Sequence, residues 1–312
     1  MKFTLKKSIS RSGLTAALSV AVLCSIPSLA RADAVAQAIL VLSGFTLTTP
    51  TAVPTGGVSG IGSVNVGLNG VNAATGAVPG VNYGQSLSLG AGYVANSKIL
   101  GSPTATFAGG RTEVTGNAFL PAGTFALSDS TVSLNPAGTG NSNTITGTDF
   151  EFTFALGTSS VVSVAFNADL FLRAFLAGSP ILVTVPTAGA TVNSNWSISI
   201  QGTNGLAFNW APNGVLDQGS IFGGTETLDP FALSRGITAS RLLPTPQVIN
   251  SNGTFAAVSN TLAAGNYTMT INHKTDAAAN VQVPEPGTLA LVGLSLVGVA
   301  AVGRRRAMRQ AA

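Results

Sequence analysis

Apolar and polar residues alternate along several stretches of this chain, with the period of two that is typical of strands buried on one face. In residues 149–154 three phenylalanines share one face and polar residues share the other. The same alternation recurs in residues 162–166, 192–200 and 267–272. Between the two chain ends no sustained helical period occurs, and glycine and proline punctuate the alternating stretches. The pattern predicts an all-β fold, a β-sandwich-like body of antiparallel strands.

Three further segments refine this prediction. Residues 34–47 indicate a first strand, in which Leu40 and Leu42 share one face. The segment 262–267 combines a leucine, a turn glycine and a tyrosine that opens a strand, which is the pattern of a tyrosine corner in a sandwich. Residues 50–92 are rich in small side chains, so we expect long loops or a small-residue β region there.

The N-terminus has the three parts of a secretory signal peptide. Residues 1–13 are basic, residues 14–29 are apolar, and Ala30 and Ala32 supply the small residues that a signal peptidase reads. We expect cleavage after Ala32, with Ala30 and Ala34 as alternatives. A membrane anchor is the competing interpretation, but the apolar run is short and is interrupted by proline.

The C-terminus also has three parts. A short acidic and proline-containing motif comes first, formed by Val283, Pro284, Glu285 and Pro286. Residues 287–303 then carry no charge and predict a transmembrane helix of about 25 Å, slightly shorter than a hydrocarbon core of about 30 Å. A basic cluster follows, formed by Arg304, Arg305 and Arg306. Such a cluster stays in the cytoplasm, so the body would lie outside the inner membrane.

These three parts closely resemble the PEP-CTERM sorting signal, the substrate signal of exosortases in Gram-negative bacteria that make exopolysaccharide. The resemblance implies that an exosortase cuts the chain near residues 284–286, after which the body is released or attached outside. An ordinary single-span anchor remains the alternative. The segments 32–38 and 150–176 more loosely resemble a group of exosortase-dependent surface proteins, which implies no known catalytic activity.

These features divide the chain into a signal peptide at 1–32, an exported β-rich body at 33–282 and a sorting signal at 283–312. The formal charge of +4 resides in the two ends, because the body holds six basic and ten acidic residues. Without a basic patch, the body is a poor partner for nucleic acid. The single cysteine, Cys24, lies in the signal peptide, so we expect no disulfide in the processed protein.

A catalytic site is not predicted, and neither is a cofactor or a metal ion. The body contains one histidine, His273. It falls on the same strand face as the apolar residues Met269 and Ile271, and we interpret it as a strand-end residue at the core margin rather than as a general base. Asp149 and Glu151 share a strand face, which we interpret as solvated. The acidic residues Asp217, Glu226 and Asp229 gather in a glycine-containing segment, where calcium is the less favoured alternative.

Trp196 and Trp210 are the rings best suited to stack on a sugar. The parity of Trp196 places it in the core. For Trp210 we favour packing and retain glycan contact as the alternative, because it borders a turn.

The sequence as a whole predicts a non-enzymatic surface or extracellular-matrix protein that acts in structure or interaction, associated with exopolysaccharide or biofilm. The expected partners are signal peptidase, an exosortase, the inner membrane in transit and exopolysaccharide. A secreted carbohydrate-binding sandwich is the alternative, and a secreted hydrolase is a third.

Overall fold

A computed structural model describes most of the body of this protein. The described residues are 32–50, 52–55, 59–69, 71–75, 93–101, 106–116, 118–119, 123–134, 140–178, 188–217, 219–240, 245–281 and 293–295. Except for Ala32 and the helical residues 293–295, the predicted signal peptide and sorting tail lie outside them. Among the described residues, no helix has the length and apolar character needed to cross a membrane.

The described chain forms two antiparallel sheets. The first sheet has the order β13-β15-β9-β1-β7-β6-β5. Its strands are β1 (Ala32–Thr48), β5 (Tyr93–Gly101), β6 (Phe107–Gly116), β7 (Thr124–Leu134), β9 (Ser163–Gly178), β13 (Gly224–Leu228) and β15 (Gln247–Ser259). All pairings within it are antiparallel, which confirms that part of the sequence prediction.

The second sheet has the order β12-β11-β10-β16-β8-β3-β4, with β14 paired to β10 and β2 paired to β8. Its strands are β2 (Ala52–Pro54), β3 (Ser59–Leu68), β4 (Val71–Thr75), β8 (Gly140–Leu156), β10 (Ala188–Gly202), β11 (Gly205–Trp210), β12 (Ile221–Phe222), β14 (Arg235–Ser240) and β16 (Gly265–Val281). The small-residue region 50–92 therefore contains three strands among its described residues, of 3, 10 and 5 residues.

The first and last strands each occupy the middle of a sheet. β1 has three strands on each side in the first sheet, and β16 has three on each side along the path of the second. The predicted first strand is confirmed, with Leu40 and Leu42 buried and Ile39 and Val41 half-buried on the opposite face. Apolar residues on both faces suit a central strand, whose outer face is flanked by neighbours on both sides.

The two sheets pack face to face around one apolar core. Most core residues predicted from alternation are buried, among them Phe152, Phe154 and Trp196. Tyr267 is half-buried, and the side chain of Phe150 lies outside the described residues. Phe166 lies at its centre, with its ring centroid 4.7 Å from that of Trp196 and 5.1 Å from that of Phe255. Aromatic rings from both sheets thus interlock in the middle of the sandwich.

The predicted tyrosine corner is also present. The Tyr267 hydroxyl donates a hydrogen bond of 2.9 Å to the carbonyl oxygen of Ala263, four residues upstream. The ring stacks on Phe154 with a centroid distance of 5.6 Å. This corner fixes the entry of the chain into β16.

Ser234 supplies hydrogen bonds to a gap in the pairing of β10, on the edge opposite β16. On that edge β14 pairs with residues 189–194 and β11 pairs with residues 198–202, which leaves Trp196 between them. Trp196 donates its backbone N–H to the Ser234 hydroxyl oxygen at 3.0 Å, and that hydroxyl donates to the Trp196 carbonyl at 3.2 Å. A side chain thereby replaces a strand in the hydrogen-bond ladder.

Candidate functional site

One of the segments that connect the two sheets carries the most concentrated polar chemistry among the described residues. It runs from the end of β11 through β12 and β13, and the chain passes from the second sheet to the first at Gly223. Gly223 has a φ of +70°, and a β-carbon there would lie 2.1 Å from the carbonyl oxygen of Ala207. Only glycine fits this crossing.

Glu226 is the centre of this segment. It lies on β13, is 5% exposed, and accepts a hydrogen bond of 2.5 Å from the indole Nε1 of Trp210. The same carboxylate oxygen accepts a bond from the Ser220 hydroxyl. The second oxygen accepts the backbone N–H of Asp217 at 2.7 Å. A buried carboxylate with three donors is well satisfied, so Glu226 fastens the loop to the core.

Asp217 and Asp229 extend this arrangement. Asp217 has a φ of +55° and accepts the backbone N–H of Glu226 at 2.9 Å. Asp229 accepts the backbone N–H groups of Asn213 and Gly214 at 3.0 and 2.9 Å. Burial raises the pKa of Asp229; the two backbone donors oppose this rise, and the charge of Glu226 adds to it.

The three acidic residues therefore hold this segment in place by accepting hydrogen bonds from its backbone and side chains. In the described part of the chain, no three histidine, cysteine, aspartate or glutamate side chains come together in a group that could hold a metal ion. The calcium alternative gains no support from this geometry, since Glu226, Asp217 and one oxygen of Asp229 accept hydrogen bonds from protein N–H and O–H groups.

Trp210 is a core residue, as the favoured interpretation predicted. Its side chain is fully buried, and its ring lies 5.8 Å from Trp196 in an edge arrangement. The alternative, in which Trp210 contacts a glycan, is wrong for this fold because no face of the ring reaches solvent. The bond to Glu226 explains why a residue beside a turn is drawn inward.

His273 occupies the middle of β16, so its interpretation as a strand-end residue at the core margin is wrong. It is fully buried, and its Nε2 donates a hydrogen bond of 3.1 Å to the carbonyl oxygen of Leu40 on the facing sheet. Burial lowers its pKa to about 4, partly opposed by that bond. The neutral ring serves as a contact between the two sheets.

A small layer of buried hydroxyls lies beside this histidine, and the sequence analysis missed it. Ser128 and Thr275 approach at 2.8 Å between their hydroxyl oxygens, and the Ser130 hydroxyl donates to the Thr275 carbonyl at 2.8 Å. Ser128 and Ser130 share the inward parity of Ala126 and Val132. That parity is the signal that would have identified them.

The acidic pair on β8 is only partly described. Glu151 is exposed on the outer face, as predicted, and lies opposite Thr270 of β16. The side chain of Asp149 lies outside the described residues.

The predicted processing sites flank the sandwich. Ala32 is the first residue of β1 and pairs with Gly178, while β16 ends at Val281. The remaining sorting residues lie outside the described part of the chain: Ala30, Val283, Pro284, Glu285, Pro286, Arg304, Arg305 and Arg306. Their roles in processing stay predictions.

Comparison with protein families finds a PEP-CTERM protein-sorting motif at residues 282–306. The match begins directly after the last residue of β16. It covers the predicted motif, apolar span and arginine cluster and none of the sandwich. Neither the search of curated proteins nor the search of solved structures finds a match to this chain.

Proposed function

We propose that this chain, an exported protein that its PEP-CTERM motif directs to an exosortase, is a non-catalytic structural or interaction protein of the bacterial surface or extracellular matrix. The observation that carries the proposal is the position of the motif. It starts at residue 282, immediately after a complete strand in the middle of a sheet. Removal of the tail would therefore leave the sandwich whole.

The chemistry of the body supports a non-catalytic role. His273 is buried against a backbone carbonyl, and Glu226 accepts three hydrogen bonds inside the connecting segment. A general base must reach a substrate proton, and neither residue is accessible to a substrate in this fold.

The outer face of the first sheet supports association with a hydrated matrix. Along β15 the outward residues Asn250, Asn252 and Thr254 are exposed, uncharged and able to hydrogen bond. Neutral donors and acceptors of this kind match the hydroxyl groups of a polysaccharide. We infer that exopolysaccharide is the environment in which the body acts.

Processing is tested by changing Pro284, Glu285 and Pro286 together to alanine in the producing cell. We expect the native protein outside the cell with a C-terminus near residue 284, and the triple variant full-length in the inner membrane. Intact mass and terminal peptide mapping give both results. A control carries Met308→Ala and Gln310→Ala, beyond the matched residues, and should be processed normally. Normal release of the triple variant would refute recognition of this motif.

The matrix role is tested separately by fractionating cells that make exopolysaccharide and cells that do not. We expect the protein in the matrix fraction of the first and in the medium of the second. An identical distribution in both would contradict the matrix proposal and leave the processing result standing.

A further inference from the structure

Strand β15 has one edge that is only partly paired. β9 pairs with residues 247–258 along one edge, and β13 pairs with residues 256–259 along the other. Among the residues that the structure describes, no strand pairs with residues 247–254 on that second edge. An open edge of this kind is a template on which a further strand can add.

The chemistry of this edge favours strand addition. Residues 247–254 carry no charge, although charged side chains are a usual protection of edge strands. Val248 is 53% exposed on it. A proline lies at each end of the open part. Pro246 precedes it, and at the other end the Pro230 ring packs against Gly253, so closely that a β-carbon there would lie 2.6 Å from the ring. The accessible edge is thus the short segment 247–252.

We propose that this segment pairs with the same segment of a second copy of the chain, antiparallel about a two-fold axis at Asn250. Such an axis places Asn250 opposite itself and Val248 opposite Asn252 of the other copy. A charged residue on the axis would meet its own like charge, whereas an asparagine side chain offers both donors and an acceptor to its copy.

Charges on the neighbouring strand favour this register. On the outer face of β9, Arg173 lies beside Val248 and Asp169 lies beside Asn252. An axis at Asn250 puts Arg173 of each copy in the same cross-strand row as Asp169 of the other. An axis at Val248 would align two arginines, and an axis at Asn252 would align two aspartates. Opposite charges therefore share a row only about Asn250, with their backbones three strand spacings, or about 14 Å, apart.

Cysteine cross-linking of the full chain in detergent tests this pairing, with Cys24→Ser as the background. Residues directly opposite in an antiparallel pair have Cα atoms about 4.5–5.5 Å apart, within disulfide reach. After oxidation with copper phenanthroline, Asn250→Cys should migrate as a dimer that reductant reverses. Val248→Cys is the matched control on the same face; its copy would be about 14 Å away along the strand, so it should remain monomeric.

Two further variants sharpen the outcome. Val248→Cys combined with Asn252→Cys should restore the dimer, because these positions face each other across the axis. Asn250→Lys should lower the dimer fraction in sedimentation, whereas Asn65→Lys, exposed on β3, should not. A monomeric Asn250→Cys, equal cross-linking of Val248→Cys alone, or a dimer unaffected by Asn250→Lys would each overturn the proposal. The pairing does not depend on the matrix role, which the fractionation tests by itself.

Discussion

At the scale of single residues, Glu226 shows how a carboxylate can stabilise a protein without performing chemistry. Its oxygens accept bonds from Trp210, Ser220 and the backbone of Asp217, which come from three different parts of one connecting segment. All three groups are donors, so the site requires an acceptor on both oxygens.

We therefore expect Glu226→Gln to destabilise the body by about 1–3 kcal/mol, because the new amide NH₂ must face a protein donor. Urea unfolding of the full chain, followed by the fluorescence of the two buried tryptophans, measures this change. Glu151→Gln is the control, since that carboxylate is exposed, and should cost less than about 0.5 kcal/mol. Equal effects of the two changes would show that the three bonds contribute nothing.

The sequence predicted the face of Trp210 but not its partner. Alternation assigns a side chain to the inside or the outside of a strand, and on that basis packing was favoured. Glu226 is 16 residues away, beyond a turn at Gly223. Contacts across such a turn depend on backbone angles that a hydrophobic pattern does not encode.

At the scale of elements, the corner before β16 depends on close approach between two strands. Gly202 lies opposite Tyr267, and a β-carbon at Gly202 would lie 2.7 Å from the tyrosine ring. That ring is held by its bond to Ala263 and by stacking on Phe154, so it has little freedom to move away.

Gly202→Ala should therefore destabilise the body by about 1–3 kcal/mol through overpacking. Gly157→Ala is the matched control, because a β-carbon there meets nothing within 4 Å, and its effect should be small. Denaturant midpoints of the two variants give the comparison. A Gly202→Ala protein as stable as the control would mean that the tyrosine ring shifts freely.

Strands with large apolar residues were predictable, whereas their partners were not. Alternation predicts strands in residues 149–154 and 192–200. It does not predict that the two strands there, β8 and β10, both pair with β16. The strands within residues 59–75 contain many small residues, and apolar residues alternate only over Val64, Val66 and Leu68, so the periodic signal is short.

At the scale of the whole molecule, His273 connects the middles of the two sheets. It lies on β16, the central strand of one sheet, and bonds to Leu40 on β1, the central strand of the other. In an unfolded chain a histidine titrates near pH 6.5, whereas burial lowers the pKa of His273 to about 4.

Between those two values the unfolded chain binds a proton that the folded chain does not. Stability should therefore fall by about 3 kcal/mol as the pH drops from 7 to 4. Burial raises the pKa of Asp129, Asp229 and Asp276, which acts in the opposite direction, so the comparison is made with His273→Gln. We expect the difference in unfolding free energy between the native protein and this variant to decrease over that range. A constant difference would contradict a buried neutral histidine.

The placement of β1 and β16 also has a consequence for the timing of folding. Each sheet is organised around a strand from one extreme of the body, so β16 must be available before the second sheet can close. Contacts between segments so distant in sequence form slowly. A chain that emerges from a membrane channel N-terminus first could not complete the second sheet until residue 281 has crossed. The sandwich would therefore finish folding only after the whole body has been translocated.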